Sequence, residues 1–148
     1  MMRKLASGLI GAIALTALNE TLRRRTSKAP RLDVLGERAT RRGLKALGLK
    51  PTSGSALYGL AMAQDLVANT LFYALLQSFR SRSPVMRGGL GGGLAGLATV
   101  LLAPKMGLGR LPRGVRTATQ LMTAAYYLTG GLASGAAQRA LAPATTIS

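Results

Sequence analysis

The sequence predicts an all-α integral membrane protein: a bundle of four transmembrane helices, with a basic amphipathic interfacial helix after the first span. Three observations predict it. Long apolar stretches follow one another along the chain, Lys and Arg gather in the connections between them, and glycines recur every four residues in the third stretch.

The 148 residues carry 20 Lys+Arg against 4 Asp+Glu, yet 48% are hydrophobic. A soluble nucleic-acid binder of this charge would spread its cations over polar surface and keep its apolar runs short. Here the cations lie between apolar runs, so they read as topology signals first and as attraction to anionic lipid second. No nucleic-acid partner is expected. The chain has neither Cys nor His, which removes disulfides, thiolate and imidazole metal sites, and Cys or His catalysis. Glu20, Asp33, Glu37 and Asp65 are the entire stock of carboxylates. No catalytic set stands out, because Ser7, Ser53, Ser55 and Ser78 have no His to activate them. The chain reads against an enzyme, and no metal or cofactor is expected.

Residues 1–148 are read as a single membrane domain. The first span, about residues 5–22, follows the basic start Arg3-Lys4 and resembles a signal peptide in outline. Ala14-Leu15-Thr16-Ala17 lacks a small-x-small cleavage pattern in good register, so the segment is expected to be kept. Its 18 residues reach about 27 Å at ~1.5 Å per residue, which just crosses a bilayer core. Glu20, at its end, is placed to pair with Arg23 or Arg24 three and four residues on.

A basic loop, residues 23–55, follows. Within it Leu32, Leu35, Ala39, Ala46 and Leu47 share one side of a helical wheel, and Arg31, Arg38, Arg41, Arg42 and Lys45 the other. This predicts a helix in the headgroup plane, with Arg38, Arg41, Arg42 and Lys45 as lipid-headgroup ligands. A plain basic loop that only fixes orientation is the competing reading. Thr52-Ser53-Gly54-Ser55 supplies capping hydroxyls for the second span, residues 56–79. The third is residues 88–106 and the fourth residues 117–140.

Counting cations in successive connections gives 14 in the first and third loops and 6 on the other side. Both termini are therefore expected to face away from the cytoplasm, in the inner (plasma) membrane.

In lipid, helices associate through close backbone contact. Gly88, Gly92 and Gly96 form one such face, and Gly131 and Gly135 another. Their partner is either a helix of the same chain or a second copy, so a homodimer or a partner membrane subunit is in view. No strand precedes Gly88 and no Lys-Ser or Lys-Thr follows Gly93, so the run is not a phosphate-cradling loop. Each Gly weakens a helix by about 1 kcal/mol relative to Ala, so the start of this span is expected to be loosely helical.

Asp65 lies near the middle of the second span, where an ionised carboxylate costs about 2.5–3.5 kcal/mol on insertion scales. Asn69 shares its face, and depth along the spans brings Tyr126 and Tyr127 to nearly its level, with Thr99 close by. The functional expectation is a small transporter or channel-like protein with Asp65, Asn69, Tyr126 and Tyr127 as its intramembrane polar site. The alternative is a non-transporting accessory or scaffold subunit that packs through its Gly-rich helices and binds anionic lipid. In that case the polar residues fix helix register.

Overall fold

The computed structural model describes residues 1–80, 83–109 and 117–142, and every regular element in it is a helix. In chain order these are α1 (Met2–Arg25), α2 (Leu32–Ala46), α3 (Gly54–Leu76), α4 (Pro84–Leu102) and α5 (Thr117–Ala140). Three of them, α1, α3 and α4, are long and apolar enough to cross a membrane. The fifth is equally long but less apolar.

The reason is its place in the fold. Helix α5 packs along α4 on one side and along α1 on another, and α1 in turn packs along α3. Its buried residues include Thr119, Thr123, Tyr126, Gly130, Gly131, Ser134, Gly135 and Gln138. A helix with neighbours on two sides spends the positions that face them on close approach and hydrogen bonds rather than on bulk. By contrast, α3 and α4 touch little beyond their shared turn.

The distribution of side chains is inverted relative to a water-soluble bundle. Ser7, Ala12, Asn19, Asn69, Thr123 and Ser134 are buried, while Leu60, Leu71, Leu90, Leu94, Leu101 and Leu121 face outward and are exposed. Bulky apolar side chains gain nothing from mutual burial when lipid tails solvate them equally well, so small residues are free to occupy the interior. The apolar core is correspondingly small: Ala12, Leu15, Tyr73 and Tyr126.

The glycines set the distances. A Cβ on Gly88 would run into the Gly131 carbonyl, one on Gly92 into the Tyr127 carbonyl, and one on Gly96 would lie 2.6 Å from the Cα of Ala124. The pairing falls by four and then three residues on α5 as α4 advances by four each time, which defines an antiparallel seam of touching backbones. Gly135 continues it, 2.5 Å from Val85 Cα if it carried a Cβ. The partner of the Gly88–Gly96 face is thus a helix of the same chain. Gly8 meets the backbone of α3 at Thr70, and Gly11 meets the Gly130 carbonyl (2.6 Å from a built Cβ).

Boundaries differ from expectation in ways that local chemistry explains. Helix α4 starts at Pro84, four residues before the expected Gly88, with Pro at its first turn and the Ser83 hydroxyl accepting from Met86 N–H (3.2 Å). It runs unbroken through the glycine run, because neighbours on α5 hold that segment helical where propensity alone would not. Helix α3 ends at Leu76, short of the expected Phe79. The Ser53 hydroxyl makes no cap bond, so the expected capping turn gives the start of α3 but not its bond.

Helix α2 is present and amphipathic. It closes with Gly48 in the left-handed region (φ 72), Gly48 N–H bonding Lys45 O and Leu49 N–H bonding Leu44 O. It packs against α3, with Thr40 hydrogen-bonded to Gln64 (3.0 Å), while Leu47 and Leu49 beyond its end are exposed.

Candidate functional site

Asp65 lies midway along α3 and is half-buried. Asn69, one turn on and buried, is its hydrogen-bond partner, as i,i+4 spacing places it. Among the described residues no Lys or Arg pairs with Asp65. The carboxyl lines a cavity of about 150 Å³ whose walls include Leu35 and Ala39 of α2, Gln64 and Ala68 of α3, Leu108, and Tyr127 of α5. Asp65 also lines a second chamber of about 20 Å³, between α1, α2 and α3, whose walls include Thr16, Asn19, Asp33 and Tyr58. That volume accommodates one water-sized group. Thr16 Oγ1 and Asn19 Oδ1 are buried without a hydrogen-bond partner among the described residues.

The two tyrosines part company. Tyr127 faces the larger cavity, within electrostatic reach of Asp65, and its hydroxyl meets Thr99 of α4. Tyr126 is 1% exposed and packs in the apolar core with Leu15 and Tyr73, its hydroxyl unpartnered. Consecutive helical residues point about 100° apart, so one of the pair had to turn from the cavity. Asp65, Asn69 and Tyr127 are therefore brought together and Tyr126 is not.

Beyond the small chamber is an ion cluster. Glu20 pairs with Arg23 (2.8 Å) and Arg24 (3.8 Å) and accepts from the Tyr58 hydroxyl (3.3 Å). Asp33 pairs with Arg31 (2.8 Å) and Arg23 (3.9 Å), its side chain only 5% exposed. Burial pushes the Asp33 carboxyl up, but the Arg31 hydrogen bonds and charge, with smaller help from the Val34 N–H and Arg23, outweigh it and leave it below its ordinary value.

Arg38, Arg41, Arg42 and Lys45 line one cleft with Gly107 and Leu108, about 310 Å³ in volume. Of the third connection, Arg110, Arg113 and Arg116 lie outside the described residues.

Sequence reasoning missed a polar network at the opposite end of the bundle. Ser7 donates to Gln138 Oε1 (3.0 Å), Gln77 Nε2 to Ser134 Oγ (3.5 Å), and Arg87 Nη2 to Gln77 Oε1 (2.7 Å). Arg87 also donates to the Phe79 carbonyl. Gln77 and Gln138 are 3% and 6% exposed. Arg87 reads as a loop cation unless Ser83-Pro84 is taken as a helix start, which moves it into the first turn of α4.

No protein-family model, curated protein or solved structure matches the chain.

Proposed function

We propose that the protein is a small inner-membrane transporter or channel-like protein in which Asp65 is the intramembrane protonatable group. The observation that carries this reading is a mid-helix carboxyl that no cation pairs with among the described residues, shared between two cavities. A structural carboxylate in a lipid-facing bundle is best served by complete pairing, whereas a proton-binding one needs access. The small chamber leads from Asp65 toward the Asp33–Tyr58 side and the larger one toward Tyr127 and Leu108. Asn69 and Tyr127 are the polar neighbours that would hold the carboxyl in either protonation state.

Helix α5 is taken as the fourth span, its polar character serving its enclosed position. The cation distribution puts both termini away from the cytoplasm. Four spans are few for a complete alternating-access carrier, so a homodimer is part of the proposal. Its interface would lie outside the α4–α5 glycine seam, which is already filled. For the same reason the accessory-subunit alternative can no longer draw its partner to Gly88, Gly92 and Gly96.

The test is proton flux in proteoliposomes for wild type, Asp65→Asn and Asp65→Glu at verified folding. Flux abolished in the Asn variant and retained in the Glu variant supports the proposal. No flux in wild type, with Asp65→Asn merely less stable, supports register fixing and an accessory role.

A further inference from the structure

The cleft between α2 and the turn after α4 is a built feature with no role in the Asp65 reading. Among the described residues four cations, Arg38, Arg41, Arg42 and Lys45, line it, and no carboxylate does. Glu37 is the nearest acid along α2, one turn before Arg41, and it is not part of the lining. The opposite wall is the Gly107–Leu108–Gly109 turn, whose two glycines have φ 73 and 75. That left-handed backbone lets the chain lie flat against the arginines. A Cβ at Gly107 would collide with the Arg42 guanidinium, and one at Gly109 would lie 3.1 Å from Arg38 Nη1. Arg38 Nη1 donates to the Leu108 carbonyl (3.1 Å), which fixes that wall.

Like charges gathered in one cleft repel unless an anion lies among them, and guanidinium forks match phosphate oxygens. We infer that this cleft binds the phosphate of an anionic phospholipid headgroup. A lipid is favoured over a free phosphate by what flanks the cleft. Met106, next to the turn, is 63% exposed, and Leu47 and Leu49, just past Lys45, are 76% and 54% exposed. Apolar side chains beside a phosphate-sized cationic cleft suit a ligand with acyl chains attached.

The experiment measures immobilised spin-labelled phosphatidylglycerol by electron paramagnetic resonance, with the full chain reconstituted in phosphatidylcholine. Two charge-matched variants are compared with wild type: Arg41→Gln/Lys45→Gln in the cleft, and Arg3→Gln/Lys4→Gln at the far end of α1. Each cation near an anionic headgroup is worth about fivefold in affinity, so the cleft variant is expected to lose roughly 25-fold. The far-end variant should keep wild-type selectivity, and both should match wild type in helix content and melting. Equal losses in the two variants, or none in either, overturns the inference. Displacement of the labelled lipid by inorganic phosphate or pyrophosphate at equimolar concentration also overturns it, in favour of a soluble phosphate ligand.

Discussion

The hydroxyl of Tyr73 on α3 donates to the main-chain carbonyl of Tyr127 on α5 across 2.9 Å. The same carbonyl is the atom that forbids a side chain at Gly92 of α4. Three helices are thus registered at one oxygen, one by a hydrogen bond and one by contact. Since α3 and α4 meet each other little beyond their shared turn, this oxygen registers them along the rest of their length.

Tyr73→Phe removes the bond and leaves the ring in place. Interhelical hydrogen bonds in membranes are worth about 1 kcal/mol or a little less. Equilibrium unfolding in mixed micelles should show a loss of that size with unchanged helix content. A loss above about 3 kcal/mol would mean that the hydroxyl does more than tie α3 to α5.

The glycines divide into two groups with opposite expected behaviour. Gly92→Leu forces a side chain into the Tyr127 carbonyl and should destabilise by about 3 kcal/mol or more, separating α4 from α5. Gly59→Ala meets nothing within 4 Å in mid-helix and should stabilise by up to about 1 kcal/mol. Thermal aggregation midpoints of the two variants in one detergent would test both.

Gln77 Oε1 accepts a hydrogen bond from the half-buried Arg87 guanidinium (2.7 Å). Gln77→Leu leaves a partly buried guanidinium short of a partner and should cost about 2–3 kcal/mol. The double variant Gln77→Leu/Arg87→Leu should recover part of that loss. Additive costs in the unfolding measurement would show that the two side chains act independently.

Asp33 predicts an acid limit to stability. Its carboxyl titrates lower in the folded protein than in the unfolded chain, near 3.9 for the latter. The unfolded state therefore binds more protons in that window. The contribution is complete above the unfolded value and is lost as pH falls through the lower, folded one. Asp33→Asn should lower stability at neutral pH by about 1–2 kcal/mol, discounted because Arg31 is half exposed, and should flatten the acid limb. A limb of unchanged steepness in circular dichroism melts between pH 5 and 2 would assign it to another group.

What could be read from the sequence was what depends on one helix at a time. Apolar length gave α1, α3 and α4, and helical periodicity gave α2 and the Asp65–Asn69 face. The i,i+3 and i,i+4 spacings gave the Glu20 pairs with Arg23 and Arg24. What depends on two helices was out of reach. Whether Gly92 met a helix of its own chain or another copy follows from the packing order, which no single segment encodes. The choice between Tyr126 and Tyr127 follows from the rotation of α5 about its axis. Arg87 sits across a turn from Gln77 and looks solvated until Pro84 is recognised as a helix start.

The interior position of α5 has a consequence for how the protein is made. Synthesis delivers α1, α3 and α4 first, yet α5 closes the seam with α4 and covers the inner face of α1. Until it leaves the ribosome, the Gly88 and Gly92 face has no backbone to meet, Ser7 lacks Gln138, and α4 is tied to α3 only around their shared turn. Docking of α4 onto the α1–α3 pair therefore waits on α5. A chain halted before Thr117 would leave α1 packed on α3 with α4 undocked, a natural substrate for membrane quality-control proteases.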